Sequence, residues 1–202
     1  AQAMAESAMY HVSLLEKYDF DDIVISIKSS NVQTMIEAYE LVAGMCSYPL
    51  HLGVTEAGTK RMGMLKSAVG IGSLLMRGIG DTIRVSLTAD PQEEVYAGLD
   101  ILKAAGLRND TPTLVSCPTC GRTKIDLISL ANEVEEKLRA VKKPVTVAVM
   151  GCVVNGPGEA READVGIAGG DGCGLVFKHG EIVKKVSEDK LVDELMKEIE
   201  EL

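Results

Sequence analysis

Apolar residues recur along the first half of the chain in two patterns, one typical of amphipathic helices and one typical of strands. From Met4 to Leu15 the apolar side chains follow a spacing near 3.6 residues, which predicts a helix over 2–18. The next apolar run, Ile23 to Ile27, is short and rich in β-branched residues, as in a buried parallel strand. The chain therefore begins with a helix followed by a strand.

This alternation repeats through the first half of the sequence. The predicted segments are helix 32–45, strand 50–54, helix 60–77, strand 82–87 and helix 91–105. Asn31 or a neighbouring Ser caps the first of these helices, and Pro91 starts the last. Three strands alternating with helices predict right-handed parallel βα units. Three strands do not close a barrel, so we expect exposed strand edges that favour association.

A polar, turn-prone stretch at 107–112 predicts a domain boundary. We therefore assign residues 1–110 to a first domain and residues 111–202 to a second. The pattern beyond the boundary predicts strand 113–116, a helix over about 124–140, strand 145–150, short strands and a last helix from about 188. The predicted fold class is α/β.

Composition narrows the functional classes. A net charge of −9 and only 3% aromatic residues argue against nucleic-acid binding, which needs a basic surface and stacking side chains. The sequence shows neither a signal peptide nor an apolar run of transmembrane length. Five unevenly spaced cysteines suit a reducing compartment better than a disulfide framework, so we expect a cytoplasmic protein.

Three of the cysteines follow strand-like runs in the second half. Cys117 and Cys120 form a Cys-x-x-Cys pair after the strand predicted at 113–116, and Cys152 follows the strand predicted at 145–150. Strand ends in an alternating α/β chain converge on one edge of a sheet. Three thiolates at that edge would make a soft-metal site for zinc or an iron–sulfur cluster. A turn with two buried thiols remains the alternative.

The loop after Cys152 favours the cluster. Glycines on both sides of Pro157 allow a sharp turn that can place the Glu159 carboxylate near the Cys152 sulfur. A structural zinc site usually adds a fourth Cys or a His, and no His lies between residues 52 and 178. Three thiolates on a four-iron cluster leave one iron that a carboxylate can occupy and yield to substrate. A structural zinc knuckle remains possible on this reasoning.

Three segments closely resemble the (E)-4-hydroxy-3-methylbut-2-enyl diphosphate synthase family, iron–sulfur enzymes of the penultimate step of the non-mevalonate isoprenoid pathway. They are Cys-Pro-Thr-Cys-Gly-Arg (117–122), Gly-Cys-Val-Val-Asn-Gly-Pro-Gly-Glu-Ala (151–160) and His-Leu-Gly-Val-Thr-Glu-Ala-Gly (51–58). The resemblance covers nearly the whole chain. Bacterial members are longer, with a complete (β/α)8 barrel before the cluster domain. It therefore implies a C-terminal portion: the last βα units of a TIM-type barrel, then a small α/β iron–sulfur domain of the sulfite-reductase-like kind.

The resemblance also implies roles for particular residues. The ligands of a [4Fe-4S] cluster would be Cys117, Cys120, Cys152 and Glu159. Lys28, Arg84 and Ser86 would bind a cyclic diphosphate, in the place where barrels carry their chemistry, at the carboxyl ends of strands. Glu56 would stand opposite the cluster as a proton donor or positioning group. Without the resemblance, Lys28 and Arg84 could be solvated rim charges, and Glu56 could lie in the first turn of its helix.

The implied reaction is the reductive ring opening of 2-C-methyl-D-erythritol 2,4-cyclodiphosphate. No flavin or nicotinamide motif is present, so the electrons are expected from ferredoxin or flavodoxin. The resemblance implies a homodimer in which the cluster domain of one subunit closes over the barrel of the other. Family arginines on earlier barrel strands help to hold the diphosphates, so this stretch does not contain the whole site and can be inactive alone.

Two other functional classes stay open. A thiol–disulfide oxidoreductase would use Cys117 and Cys120 and need neither metal nor Cys152, whereas a non-catalytic zinc-binding module would use all three cysteines. The remaining candidates receive structural interpretations. The glycine-rich stretch 166–174 lacks the ending of a phosphate loop and predicts a turn. Cys46 and Cys173 are not expected as ligands, His51 is expected as a wall residue, and Arg122 either grips a diphosphate or pairs locally.

Overall fold

The structure is a computed structural model, and it describes residues 1–153 and 161–202. The chain divides into two compact units, residues 1–108 and residues 109–202.

The first unit consists of βα repeats. Its helices are α1 (Gln2–Glu16), α2 (Val32–Ala43), α3 (Lys60–Leu75) and α4 (Pro91–Ala104). Its strands, β1 (His51–Leu52) and β2 (Thr82–Ile83), pair in parallel. An extended segment at 23–29 lies on the other side of β1 and joins it through parallel bridges, Ile25 with Leu50 and Ser29 with Val54. The predicted order and parallel pairing are present, but the regular ladders are shorter than the predicted strands.

One side of these extended segments forms the core of the first unit. Ile25 and Ile27 of the first segment, together with Leu52 and Val85, are buried against the helices. The intervening residues face the other way, because side chains alternate along a strand. Val24 on that opposite side is 61% exposed, so the predicted burial applies to one face of the segment.

The second unit is built on a five-stranded mixed sheet. The strands are β3 (Thr113–Ser116), β4 (Thr146–Met150), β5 (Val165–Gly169), β6 (Cys173–Lys178) and β7 (Glu181–Ser187), in that spatial order. The pairs β3–β4 and β4–β5 are parallel, and the later pairs are antiparallel. Of the stretch 166–174 predicted as a turn, only residues 170–172 form the hairpin turn, with Gly172 at a φ of 63°, and the rest lies in β5 and β6.

The described part of the second unit also contains α5 (Leu127–Leu138) and α6 (Leu191–Glu200), the latter preceded by a 3₁₀ turn at Glu188–Lys190. Helix α5 begins three residues later than predicted because Asp126 accepts a hydrogen bond from the Ser129 N–H and so caps it. The predicted cap of α2 is confirmed, since Asn31 accepts a bond from the Thr34 N–H over 2.9 Å. Among the described residues, no helix has both the length and the apolar character needed to span a membrane.

Candidate functional site

Seven residues of the first unit share the side of the strands that faces away from the helices. Parallel register aligns six of them across three neighbouring segments, because paired residues of parallel strands point to the same side, and the seventh, Ser86, shares that side because it directly follows the inward-facing Val85. We call this set the polar strand face: Ser26, Lys28, His51, Gly53, Thr82, Arg84 and Ser86. It includes the predicted phosphate-binding residues, Lys28, Arg84 and Ser86, which the fold therefore brings onto one surface.

Lys28 lies over the backbone of the neighbouring strand. A side chain built at Gly53 would have its Cβ 3.0 Å from Lys28 Cε and 2.9 Å from the Arg84 carbonyl oxygen. Only a glycine leaves room for the lysine stem at that position. The arrangement holds the Lys28 amine near the segment that carries Arg84.

The electrostatics of the polar strand face favour an anionic ligand. Burial lowers the pKa of the half-buried Lys28, and the nearby Arg84 charge lowers it further. Burial also lowers the pKa of His51, with smaller contributions from Lys28 and Arg84. Within residues 1–153 and 161–202, neither Lys28 nor Arg84 has an acidic partner. Neighbouring cations without a counter-ion are a suitable site for phosphate oxygens.

His51 is held in place on this face by its side chain and its carbonyl group. Its Nδ1 lies 2.8 Å from Thr82 Oγ1, so the ring is tied to β2. Its carbonyl oxygen accepts hydrogen bonds from the hydroxyl groups of Tyr39 and Ser26. His51 is half-buried, and its place in the wall of a site stays a prediction.

Glu56 occupies a strained loop position between β1 and α3. Its φ of 51° lies in the left-handed region, which costs a residue with a Cβ roughly 1–2 kcal/mol. Helix α3 begins only at Lys60, after Thr59 at the N-cap, so Glu56 does not lie in the first helical turn. Its side chain is exposed, as a group that meets substrate must be in the absence of ligand. Strain of this kind is typical of functional loops.

The cysteines of the second unit follow adjacent strands of its sheet. Cys117 comes directly after β3 and Cys152 two residues after β4, and these strands are parallel with Ser116 opposite Val149. The Gly151 N–H donates a hydrogen bond to Cys117 Sγ over 3.2 Å. The backbone beside Cys152 is thereby tied to the first cysteine of the pair, as the sequence predicts for converging strand ends.

Thr123 connects the second cysteine of the pair to the same loop. Its hydroxyl accepts a hydrogen bond from the Cys120 N–H at 3.2 Å and lies 3.9 Å from Cys120 Sγ. A side chain built at Gly151 would have its Cβ 2.9 Å from Thr123 Oγ1. Sequence reasoning missed Thr123, whose one signal was a hydroxyl residue three positions after Cys120.

The surroundings of Cys120 favour its thiolate form. Hydrogen bonds from the Arg122 backbone and guanidinium, and then from the Thr123 hydroxyl, lower the pKa of this exposed thiol. Arg122 therefore has a local contact, one of its two predicted roles. A thiolate is the form of cysteine that binds metal.

The donor set fits an iron–sulfur cluster. Cys117, Cys120 and Cys152 are free thiols near one end of the sheet, and hydrogen-bond donors that tune cluster sulfurs surround two of them. In the part of the chain that the structure describes, no three His, Cys, Asp or Glu side chains converge to hold a single metal ion. In a four-iron cluster each thiolate binds a different iron, so the thiolates do not have to converge on one point. Glu159, the predicted fourth ligand, lies outside the described residues.

Comparison with known proteins shows the same two-part organisation. A family model described as the GcpE TIM-barrel domain matches residues 1–99, and one described as the GcpE protein C-terminal domain matches residues 113–201. The predicted fold class, a barrel portion followed by a second α/β domain, is therefore confirmed.

Curated relatives match the whole chain at high identity. Proteins of Clostridium acetobutylicum and Geobacillus thermodenitrificans are 63% and 58% identical over all 202 residues, which cover 58% and 54% of those proteins. A Clostridium perfringens protein is 64% identical over 198 residues, 98% of this chain and 57% of that protein. Each is named 4-hydroxy-3-methylbut-2-en-1-yl diphosphate synthase (flavodoxin). The chain thus spans somewhat more than half the length of these relatives.

Proposed function

The chain belongs to the GcpE family, and we propose that it is part of an iron–sulfur oxidoreductase that converts 2-C-methyl-D-erythritol 2,4-cyclodiphosphate to (E)-4-hydroxy-3-methylbut-2-enyl diphosphate. The observation that carries the proposal is about 60% identity, along the entire chain, to relatives named for that product. The overall change consumes two electrons and two protons, opens the diphosphate ring at carbon and releases one oxygen as water.

The polar strand face supports binding of the cyclic diphosphate. Lys28 and Arg84 would each donate charge-assisted hydrogen bonds to phosphate oxygens, and the Ser86 hydroxyl would add a neutral one. The repulsion between the two cations would be relieved when the anion binds. Substrate binding by this face is therefore expected to depend on salt concentration.

Glu56 is the proposed proton donor for the oxygen that leaves. Its strained loop position next to the polar strand face supports a group held for one task rather than a random surface acid. A carboxyl group suits this role because it can give up a proton and be reprotonated from solvent.

We propose Cys117, Cys120 and Cys152 as three ligands of a [4Fe-4S] cluster, with Glu159 as the fourth ligand and a second catalytic group. The cluster would supply electrons and a Lewis-acidic iron. Within the chain, the Gly151 N–H and the groups around Cys120 would stabilise the thiolates. The names of the relatives support flavodoxin as the electron donor, with ferredoxin as the alternative. We further propose a cytoplasmic homodimer, since free thiolate ligands require a reducing compartment.

The test is anaerobic purification of the full-length protein with metal, sulfide and turnover measurements. We expect about four irons per chain, bleaching on reduction, and turnover of the cyclodiphosphate with reduced flavodoxin. Cys152→Ser should abolish both cluster and turnover. Stoichiometric zinc that resists exchange for iron would instead establish the zinc-binding module. Disulfide reduction without metal, retained in Cys152→Ser, would establish the thiol–disulfide oxidoreductase.

A further inference from the structure

The parallel pairing beside Lys28 contains an inserted side-chain hydroxyl. Bridges on either side, Ile25 with Leu50 and Ser29 with Val54, set a register in which the Ile27 N–H would bond directly to the His51 carbonyl. Instead the Ile27 N–H donates to Tyr39 Oη over 2.9 Å, and the Tyr39 hydroxyl donates to the His51 oxygen over 2.5 Å. At this one position the two strands are therefore joined through the tyrosine hydroxyl rather than by a direct backbone hydrogen bond.

Tyr39 is well placed to hold that link. It comes from α2 and its side chain is completely buried, at 0% exposure. Burial raises the pKa of its hydroxyl, so the group stays protonated and can donate its proton to the His51 carbonyl oxygen. The hydroxyl is the partner of the buried Ile27 N–H, and it shares the His51 carbonyl oxygen with the Ser26 hydroxyl.

Both backbone groups that Tyr39 joins belong to the strands of the polar strand face. Lys28 directly follows Ile27, and its Cε lies against the position of a Gly53 side chain, two residues after His51. The separation of the strands at this link therefore sets how the Lys28 stem crosses Gly53 and where its amine lies relative to Arg84. Burial is the main cause of the lowered pKa of Lys28, and the nearby Arg84 charge is the second.

We propose that Tyr39 is a positioning residue for the phosphate site: its hydroxyl, inserted between Ile27 and His51, fixes the strand spacing that holds Lys28 beside Arg84. The inference rests on the proposed function only in taking the ligand to be a diphosphate. Tyr39 itself, buried behind the strands, does not touch the ligand.

The test is Tyr39→Phe in the full-length enzyme, compared with Lys28→Ala and with the double variant. We expect about a tenfold weaker affinity for the cyclodiphosphate and for inorganic pyrophosphate, the effect of weakening one charge-assisted hydrogen bond. The iron content and kcat should stay near the wild-type values. In the Lys28→Ala background the Tyr39→Phe change should have no further effect, because the lysine through which Tyr39 acts is gone.

Tyr48→Phe is the matched control. It also removes a tyrosine hydroxyl bond, the exposed one from Tyr48 to Glu16 Oε1 over 3.0 Å, in the same unit but on no strand of the polar strand face. It should bind pyrophosphate like the wild type. If Tyr39→Phe does not fold, Ser26→Ala loosens the same pair of strands, because Ser26 also donates to the His51 carbonyl; a two- to threefold loss is expected, and it should disappear in the Lys28→Ala background if it acts through the lysine.

The outcomes separate this inference from the proposed function. Wild-type affinity in Tyr39→Phe, or a loss that persists undiminished without Lys28, would overturn the positioning role while leaving turnover intact. Pyrophosphate binding that depends on Tyr39 in a protein that does not turn over the cyclodiphosphate would retain the positioning role and reject the reaction. Absence of pyrophosphate binding by the wild type would reject the phosphate site and Tyr39's role in it.

Discussion

Lys28 crosses the face of Gly53 so closely that its Cε lies 3.0 Å from the point where a side chain at residue 53 would begin. The other near neighbour of that point is the Arg84 carbonyl oxygen, at 2.9 Å, which belongs to the backbone and cannot rotate away. A methyl group at residue 53 would therefore displace the lysine. The glycine and the cation therefore form one unit of the proposed phosphate site.

Gly53→Ala should weaken diphosphate binding without removing any charge. We expect a loss of about tenfold in affinity, because the displaced amine gives up one charge-assisted hydrogen bond. Titration of the full-length protein with pyrophosphate measures it. Gly72→Ala in α3 is the control, since a side chain there meets nothing within 4 Å. Equal affinity for pyrophosphate in the two variants would show that displacing the Lys28 amine does not weaken diphosphate binding.

The titration of His51 should report the charge of Lys28. Burial is the main cause of its lowered pKa, and Lys28 is the next cause, so Lys28→Met should raise the pKa of His51. Histidine NMR signals followed against pH measure the change, and the chain has only three histidines to assign. Lys60→Met, which removes a cation paired with Glu93, should leave it unchanged. An unchanged or lower His51 pKa in Lys28→Met would place the two groups apart.

The sequence pattern was sufficient to predict the order of helices and strands and the placement of the cysteines after β3 and β4. These features depend on periodicity and on short local signals, such as the Asn31 cap. The insertion of Tyr39 into a ladder could not be predicted this way. Its 3.6-residue spacing on α2 marks it only as a core residue, and its two bonds reach residues 12 positions away in opposite directions.

Thr123 and Glu56 likewise have features that the sequence pattern could not predict. Thr123 matters because it lies between Cys120 and Gly151, a relationship that exists only after β3 and β4 pair. The positive φ of Glu56 is a strained backbone state that a glutamate does not signal in sequence, since glycine is the residue that usually adopts it. The roles of the site residues themselves stay predictions.

Thr123→Val should shorten the lifetime of the cluster. Valine keeps the shape but loses the hydroxyl that accepts from the Cys120 N–H, a bond worth about 1 kcal/mol, or roughly fivefold in equilibrium. Iron release to a chelator under anaerobic conditions measures the lifetime. Thr123→Ser, which keeps the hydroxyl, should behave like the wild type. If both variants release iron as slowly as the wild type, the Thr123 hydroxyl does not stabilise the cluster.

Glu198 should make the stability of the chain depend on pH. Its carboxylate is 5% exposed and accepts from Lys178 Nζ at 2.6 Å and Lys184 Nζ at 2.9 Å. These bonds, the one from Lys178 first, lower the pKa of Glu198 below its ordinary value of 4.5. A depressed carboxyl pKa adds stability that is present above the unfolded value and is lost as the pH falls through the folded value.

Glu198→Gln should therefore lower the free energy of unfolding at pH 7 by about 1 kcal/mol, since the neutral amide loses the charge that pairs with the half-buried Lys178 and the exposed Lys184. The difference from the wild type should shrink as the pH falls below 4.5, because the wild-type carboxyl also becomes neutral there. Urea denaturation at several pH values measures both effects. Glu136→Gln removes an exposed carboxylate paired with Arg139 and should cost at most a few tenths of a kcal/mol. A Glu198→Gln deficit that stays constant down to acidic pH would mean that lost packing, rather than lost charge, destabilises the variant.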